Sequence, residues 1–295
     1  MKARCVRATL LGIVLAVVGV GPAVAQDEPR VSFSTSVDYS VGDYGTGKDT
    51  TLLYVPFTLG VRPFDRLWLN VTVPYLYQTG QNVVLTGGGV AVKGKKSNGK
   101  LTRPTTSTKE SGLGDVLAKA SLVLIEEKEF IPEITPYFKV KFPTADKDRG
   151  LGTGEFDETL GVDVSKLLVG SLSGYLTLAY TFIGEPPGTT LHDSFGWSVG
   201  AAYAVAQPFA IFAFLDGATA IAPGQEDPLD IRVGAEWKLA KALKLTGAVT
   251  RGLSKGTADW DVYGGLTLRF WVGPRWASSG RDSSYPNGGG TAVDR

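Results

Sequence analysis

The chain has 295 residues, with 30 Lys and Arg against 29 Asp and Glu. A formal net charge of +1 gives no basic excess for binding a polyanion, so nucleic acid is not an expected partner. The hydrophobic content of 43%, with 38 glycines and six tryptophans, is typical of a β-rich protein whose apolar side chains are spread along alternating strands.

The first 25 residues predict a cleaved signal peptide. Three basic residues precede an apolar core from Leu10 to Val20, and Ala23 to Ala25 form a small-residue cleavage site. The single cysteine, Cys5, lies in this segment, so the chain that remains from Gln26 would have no thiol and no cysteine ligand for a metal. We therefore predict secretion through the inner membrane of a Gram-negative cell.

Strand-length segments recur from about Val31 to Trp271, and tight connections alternate with long ones, which is typical of a membrane-spanning barrel. The tight connections are Arg62 to Arg66, Glu126 to Glu129, Val169 to Ser171, Ala206 to Pro208 and Ala240 to Lys241. The long ones are Gly42 to Lys48, Gln78 to Ser111, Pro143 to Asp157, Gly184 to His192, Ala222 to Pro228 and Gly252 to Ala258. One set would face the periplasm and the other the outside.

Alternation within the segments predicts which face meets lipid. From Leu67 to Tyr77, and again from Leu229 to Leu239 and from Trp260 to Phe270, apolar residues occupy every second position and polar residues the positions between them. The segments number about twelve. The prediction is an all-β, transmembrane, antiparallel up-and-down barrel over 26–271 in the cell outer membrane, followed by a disordered periplasmic tail over 272–295.

Aromatic residues gather near both ends of the predicted strands, as in the two girdles of a membrane barrel. Those near the long loops are Tyr75, Tyr77, Phe142, Tyr180, Phe182, Phe195, Trp197 and Trp260, and those near the tight turns are Phe64, Phe209, Trp237, Phe270 and Trp271. Such a barrel implies outer-membrane lipids, lipopolysaccharide and the barrel-assembly machinery as partners, together with a small-molecule solute.

The positions that alternate with the apolar face would line the lumen. The predicted lumen-lining residues are Asp115, Lys119, Glu133, Tyr137, Lys139, Lys141, Tyr175, Arg232, Glu236, Lys238, Asp261, Tyr263 and Arg269. Their charges are of both signs, which allows two interpretations: a water-lined passage, or a plug of paired charges. Because eight strands are filled by their own side chains and sixteen leave a channel, about twelve strands permit either outcome.

Catalysis, a metal and a cofactor are not expected. The only histidine, His192, precedes Asp193 and Ser194, but neighbouring side chains on a strand point to opposite faces, and no serine has a nucleophile-elbow setting. Acidic residues crowd the loop after Phe142, yet cations stand where an EF-hand loop needs ligands, which favours surface solvation over calcium binding. No phosphate-binding glycine motif follows a strand and opens a helix.

The longest connection, Gln78 to Ser111, is rich in Lys, Gly, Ser and Thr. Six basic residues with only Glu110 in opposition would attract anionic solutes or lipopolysaccharide phosphates by long-range charge. The alternative, which composition favours, is a solvated and mobile loop.

The stretch from Phe142 to Gly154, together with several shorter motifs, resembles the outer-membrane transporter-like family associated with the MetA pathway of phenol degradation. The glycine-rich stretch from Phe142 to Gly154, followed by Asp157, carries the resemblance most specifically. Further matching motifs are Tyr54 to Phe57, Arg62 to Arg66, Val73 to Tyr75, Ser111 to Asp115 and Gly184 to Gly188. The resemblance implies an outer-membrane barrel that passes small, aromatic or weakly polar compounds, and it transfers no catalytic or binding residue.

Two functions follow as expectations. The first is a passive, non-enzymatic channel for small solutes. The second is a plugged structural or adhesive barrel that acts through its extracellular loops without transport. A lumen of about twelve strands is narrower than that of open porins, so the first expectation favours small aromatic solutes over large sugars.

Overall fold

A computed structural model describes residues 29–42, 44, 49–80, 83–85, 91–93 and 108–271. The predicted signal peptide, the predicted tail over 272–295 and most of the Lys-rich connection lie outside these residues. Among the described residues, no helix has the length and apolar character needed to cross a membrane.

The described residues form fifteen strands, most of them ten to fifteen residues long. They are β1 (Val31–Gly42), β2 (Thr50–Phe64), β3 (Leu67–Gly80), β4 (Val83–Leu85), β5 (Ala91–Lys93), β6 (Thr108–Leu113), β7 (Val116–Leu122), β8 (Glu133–Phe142), β9 (Asp157–Val169), β10 (Leu172–Ile183), β11 (Ser194–Ala206), β12 (Phe209–Ala218), β13 (Leu229–Ala240), β14 (Leu243–Gly252) and β15 (Trp260–Phe270).

Twelve of these strands close into one antiparallel barrel. Each of β1, β2, β3 and β7 to β15 pairs with its neighbour in the chain order of the barrel, and β1 pairs with β15 from Val31↔Phe270 to Val41↔Trp260. Closure pairs each of these twelve strands with a neighbour on both sides, which removes the long unpaired edges that an open sheet would expose to lipid. The predicted fold class and strand number are confirmed.

β6 and β7 lie end to end and together occupy the fourth position of the barrel wall. β7 pairs with the first half of β3, and β6 pairs with its second half, from Tyr75↔Leu113 to Gly80↔Thr108. The break falls at Gly114 and Asp115, where the register shifts by one residue. The long connection predicted from Gln78 to Ser111 is therefore somewhat shorter than expected, because β3 runs on to Gly80 and β6 begins at Thr108, and β4 and β5 pair with each other between them.

The connection after β7 is also longer than predicted. The tight turn expected at Glu126 to Glu129 is part of a ten-residue segment, 123–132, which carries an isolated bridge between Ile125 and Ile134. Pro132 lacks a backbone N–H and so cannot donate to a strand pair at this point. The other four connections on this side are two residues long, and they lie at the end of the barrel where β1 begins and β15 ends.

The two faces of the barrel wall differ in polarity. Exposed apolar side chains such as Leu59, Val71, Val199, Ile211 and Val262 stand at every second position of their strands. The intervening positions carry Ser, Thr, Asp, Lys and aromatic side chains that are buried or half-buried. This is the apolar-out, polar-in arrangement of a membrane-spanning barrel.

Candidate functional site

All 13 predicted lumen-lining residues lie on the inner face of the barrel wall. Two of them, Lys119 and Lys139, lie directly opposite each other on neighbouring strands, while Tyr175 lies opposite Ser165 and Asp261 opposite Thr250. Contact between these side chains and a passing solute stays a prediction. Their neighbours divide the inner wall into four regions, which we describe from the long-loop end towards the short turns.

A loop folds into the mouth of the barrel. The third long connection, residues 143–156, is here named L3, and a buried lysine at the end of β8 fixes it. Lys141 Nζ lies 3.0 Å from Asp115 Oδ2 and 3.4 Å from Asp157 Oδ2, and it donates hydrogen bonds of 2.8 Å to Thr153 Oγ1 and to the Glu155 carbonyl. These five residues form the mouth cluster. The Lys141 side chain is only 2% exposed, so the charge is held by these partners instead of by water.

L3 also contacts the opposite side of the mouth. Leu151 packs against Leu52 on β2 and Leu76 on β3, which both point into the barrel. The Gln78 side-chain amide donates to the Gly150 carbonyl at 3.3 Å. Gly150 has a φ of 74°, a conformation that glycine adopts without the steric cost that a side chain would bring. L3 therefore crosses the inner wall from β9 to β2 and narrows the mouth.

Below the mouth, one wall carries an ion pair stacked on a ring. Lys119 Nζ lies 3.4 Å from Asp163 Oδ2 and 3.8 Å from the centroid of the Tyr137 ring. Thr177 Oγ1 donates to Asp163 Oδ1 at 2.8 Å. The Tyr137 ring covers Gly161, where an added Cβ would lie 2.2 Å from the ring. The glycine thus lets the ring lie flat against the wall.

The part of the inner wall that runs on from β10 to β15 carries an aromatic band, made of Tyr175, Phe212, Phe214 and Tyr263. The Phe214 ring centroid lies 5.9 Å from that of Tyr175 and 5.8 Å from that of Phe212. Phe212 and Phe214 are buried together with Ala202 and Ala248, and Tyr263 packs against the same group. Glycines at positions 200, 234 and 265 face these rings, where a Cβ would come within 2.2 to 2.4 Å of them.

Above the aromatic band lies an acidic cluster, made of Asp38, Asp216, Asp230 and Asp261. Asp216 and Asp230 stand directly opposite each other on β12 and β13. Arg232 lies 2.8 Å from Asp216 Oδ2, and its guanidinium carbon lies 5.5 Å from the Phe214 ring centroid. Asp38 and Asp261, on β1 and β15, are half-buried and interact electrostatically with the same guanidinium.

Near the short turns the inner wall is mostly basic. Lys244 on β14 pairs with Glu236 on β13 at 2.5 Å, and both side chains are buried. Lys238 lies opposite Lys244 on the neighbouring strand. On its other side Lys244 lies opposite Thr267, and Arg269 is the next inward-facing residue after Thr267 on β15. The charge along this wall therefore changes sign, from acidic near the mouth to basic near the short turns.

A family model covers most of the chain. It matches residues 54–270, from within β2 to the end of β15, and the family is described as "Putative MetA-pathway of phenol degradation". The chain belongs to this family. No curated protein matches the chain by sequence similarity.

Solved structures similar to this member of the MetA-pathway family are membrane barrels. An outer membrane channel from Pseudomonas putida F1 superposes with a TM-score of 0.64 at 15% identity, over 86% of this chain and all of the other. The KdgM porin has a TM-score of 0.48 at 11% identity, over 81% and 99% of the two chains. The CymD monoaromatic hydrocarbon channel has a TM-score of 0.45 at 8% identity, over 82% and 89%. The first supports the fold alone, and the other two support no further conclusion.

The residues around His192 and in the acidic loop of this MetA-pathway family member make local hydrogen bonds. His192 is exposed at the rim. The Asp193 carboxylate accepts hydrogen bonds from the Tyr180 hydroxyl at 3.0 Å and from the Ile183 backbone N–H. Ser194 Oγ donates to the Thr219 carbonyl. Asp146 Oδ1 accepts the N–H groups of the two residues at 148 and 149, which makes it a turn residue. Within the part of the chain that the structure describes, no group of three or more His, Cys, Asp or Glu side chains is arranged to hold a metal.

Tyr44 lies next to the rim. It is the one residue between positions 43 and 48 that the structure describes. Its hydroxyl donates to Ser40 Oγ at 3.0 Å, and burial raises the pKa of this hydroxyl above its ordinary value. At any physiological pH the hydroxyl is therefore neutral, and its hydrogen bond to Ser40 attaches this loop residue to the end of β1.

The sequence interpretation missed several inner-wall residues. The strand that contains Phe212, Phe214 and Asp216 is apolar on both faces, so its period-two pattern does not separate lipid from lumen. The glycines that face the two rings are the available signal, because a glycine in a strand marks close approach of another group. The period-two test does place Asp230 on the polar, lumen-facing side of its strand with Arg232, although it is not among the predicted lumen-lining residues.

Proposed function

We propose that this chain is a passive channel of the outer membrane and that small solutes pass through the lumen of its twelve-stranded barrel. The observation that supports this proposal is the kind of side chain found on the inner wall. Charged and aromatic side chains occupy it around the full barrel, while the alternate positions present exposed apolar side chains outward. Charges facing the inside of a barrel need water or partners, and a water-lined route supplies the water.

L3 makes the passage narrow. The mouth cluster ties the loop to β7, β8 and β9, and Leu151 ties it to β2 and β3. Together with a lumen of twelve strands, this favours small solutes over large sugars. Three half-buried rings, those of Tyr137 and of Tyr175 and Tyr263 in the aromatic band, offer faces on which a planar solute stacks at centroid separations of about 4.5 to 7 Å.

Liposome swelling tests the size and polarity preference. Proteoliposomes loaded with the folded chain are expected to swell with phenol-like solutes at a rate well above that with disaccharides and larger sugars, because L3 and the aromatic band limit the passage. Protein-free liposomes give the rate at which each solute crosses lipid alone. Equal protein-dependent rates for phenol-like solutes and for sugars of every size would contradict the narrow passage.

A second function is favoured by one observation. L3 folds into the mouth and holds a 2% exposed lysine between two carboxylates, which is also how a plugged barrel would be closed. Such a barrel would be structural or adhesive and would act through its extracellular loops. No protein-dependent swelling with any solute would favour this alternative.

A further inference from the structure

We propose that the connection between β7 and β8, residues 123–132, is a membrane anchor that places the Phe130 side chain in the lipid leaflet at the short-turn end of the barrel. This connection is here named the arm, and the partner that it binds is a lipid surface. The inference goes beyond the proposed channel and does not depend on it, because a plugged barrel would be anchored in the same way.

The arm has a defined backbone shape. Ile125 and Ile134 exchange both of their backbone hydrogen bonds, so the arm begins as a continuation of the sheet. Lys128 and Ile131 also exchange both of theirs, at 2.9 and 3.2 Å. This second pair closes a two-residue hairpin turn, and Phe130 is one of the two residues in the turn. Phe130 therefore stands at the tip of the arm.

Two acidic side chains of the arm turn back onto the barrel. Glu126 Oε1 lies 2.7 Å from Arg66 Nη2 in the turn between β2 and β3. Glu127 Oε1 lies 3.0 Å from Lys166 Nζ on β9 and accepts the Leu167 backbone N–H at 2.8 Å. These contacts fix the arm to the strands on both sides of β7 and β8.

Lys166 shows on which side of the barrel wall the arm lies. On the same strand Asp163 points into the lumen, where it accepts the Thr177 hydroxyl, so Lys166, three positions further on, faces outward. Its ammonium group is bound by Glu127 Oε1 and by the Lys128 carbonyl. A lysine on the lipid side of a barrel needs such partners or contact with the interface. The arm therefore lies against the lipid-facing side of the wall and does not cover the lumen.

The apolar side chains of the arm are left uncovered by protein. Phe130 is 86% exposed, more than any other large apolar residue in the described part of the chain. Leu124 in the arm, Leu122 at the end of β7 and Leu168 near the end of β9 are exposed as well. They connect the tip to the apolar outer face of the barrel. An apolar surface that continues the lipid-facing belt is expected to be covered by the same lipid.

The residues of the tip suit the boundary between lipid and water. Lys128 and Glu129 precede Phe130, and both are exposed. A ring next to charged side chains can enter the apolar region while the charges stay among the lipid headgroups. Aromatic residues gather at this height in membrane barrels. A lipid surface therefore satisfies both the ring and the charges of the tip.

Spin labelling measures where the tip lies. Cys5 is the single cysteine of the chain, so in a Cys5→Ser background each introduced cysteine carries the only nitroxide. The full chain is folded into phosphatidylcholine vesicles. Collisions of the nitroxide are then measured with oxygen, which concentrates in lipid, and with a neutral nickel chelate, which stays in water.

Three labelled positions are compared. Phe130→Cys carries the label at the tip, Val199→Cys carries it on the lipid-facing belt, and Lys147→Cys carries it in L3 at an exposed position. We expect the ratio of oxygen to nickel collisions at position 130 to be close to that at position 199 and several-fold above that at position 147. Heat-modifiable gel mobility checks that each labelled chain is folded.

Other occupants of this surface give different results. A collision ratio at position 130 equal to that at position 147 would show that the tip faces water, which would overturn the anchor and favour a periplasmic protein as the partner. Contact with a second copy would make the ratio fall as the chain is diluted in lipid, and that result would also overturn the anchor. Contact with lipid predicts a ratio that dilution leaves unchanged.

The measurement does not require solute passage, so it tests the anchor equally in a conducting and in a plugged barrel. If the Phe130→Cys chain does not fold, Ile131→Cys places the label next to the same turn and is compared with the same two reference positions. A water-like ratio there would overturn the anchor, and a lipid-like ratio would support it.

Discussion

Replacing Lys141 with methionine is expected to lower the free energy of unfolding by about 3 to 5 kcal/mol, because it leaves two buried carboxylates without their cation. Asp115 and Asp157 both lie within 3.4 Å of Lys141 Nζ, and their side chains are 4% and 0% exposed. Methionine keeps most of the volume of the lysine stem but neutralises nothing. Urea unfolding in lipid vesicles, followed by gel mobility, measures the change.

Two further variants separate the charge from other effects of the substitution. Lys147→Met removes an exposed lysine of the same loop and is expected to change the unfolding free energy by less than about 0.5 kcal/mol. The triple variant Lys141→Met, Asp115→Asn, Asp157→Asn removes the unpaired charges together and should recover part of the loss. A Lys141→Met chain as stable as Lys147→Met would show that the mouth cluster does not hold L3.

The barrel itself was predictable from local pattern. Strands such as Leu67–Gly80 and Leu229–Ala240 alternate apolar and polar residues with period two, and alternating short and long connections give their up-and-down order. The same count placed Lys119, Tyr137 and Arg232 on the inner face. Each of these inferences uses residues that are close together in the sequence.

The shape of the mouth was not predictable in this way. L3 is held by contacts between distant residues, such as the hydrogen bond from Gln78 to Gly150 across 72 positions, and no periodic pattern encodes such a contact. The sequence identified Lys141 as inward-facing, but its partners in L3 depend on the path of the loop. The break between β6 and β7 was not predictable from the sequence either. β6, the part before Gly114, lies at the end of a segment rich in Lys, Gly and Thr, which has no strand pattern.

Replacing Phe214 with alanine is expected to lower the free energy of unfolding about as much as Lys141→Met does. It should also widen the lumen. The ring is 3% exposed and contacts Phe212, Tyr175 and Arg232, so its removal should cost about 3 to 5 kcal/mol in unfolding free energy. Because the ring points inward, its loss also widens the lumen at the aromatic band. Liposome swelling should show faster entry of solutes larger than phenol.

Phe195→Ala is the matched control for the loss of a ring. Phe195 lies on the outer face of β11 and is 42% exposed, so its truncation should leave the swelling rates for all solutes unchanged. Unchanged size selectivity in folded Phe214→Ala would contradict the assignment of the aromatic band to the solute route. An equal change in both variants would point to a general loosening of the barrel.

Single-channel recording in planar bilayers tests the proposed passage most directly. We expect discrete conductance steps for the unchanged chain, smaller than those of sixteen-stranded porins because twelve strands and L3 leave a narrow lumen. We also expect larger steps for Lys141→Met, in which the attachment of L3 to the mouth is weakened. Folded protein that inserts into the bilayer but gives no steps, either unchanged or as Lys141→Met, would contradict a passage through the barrel.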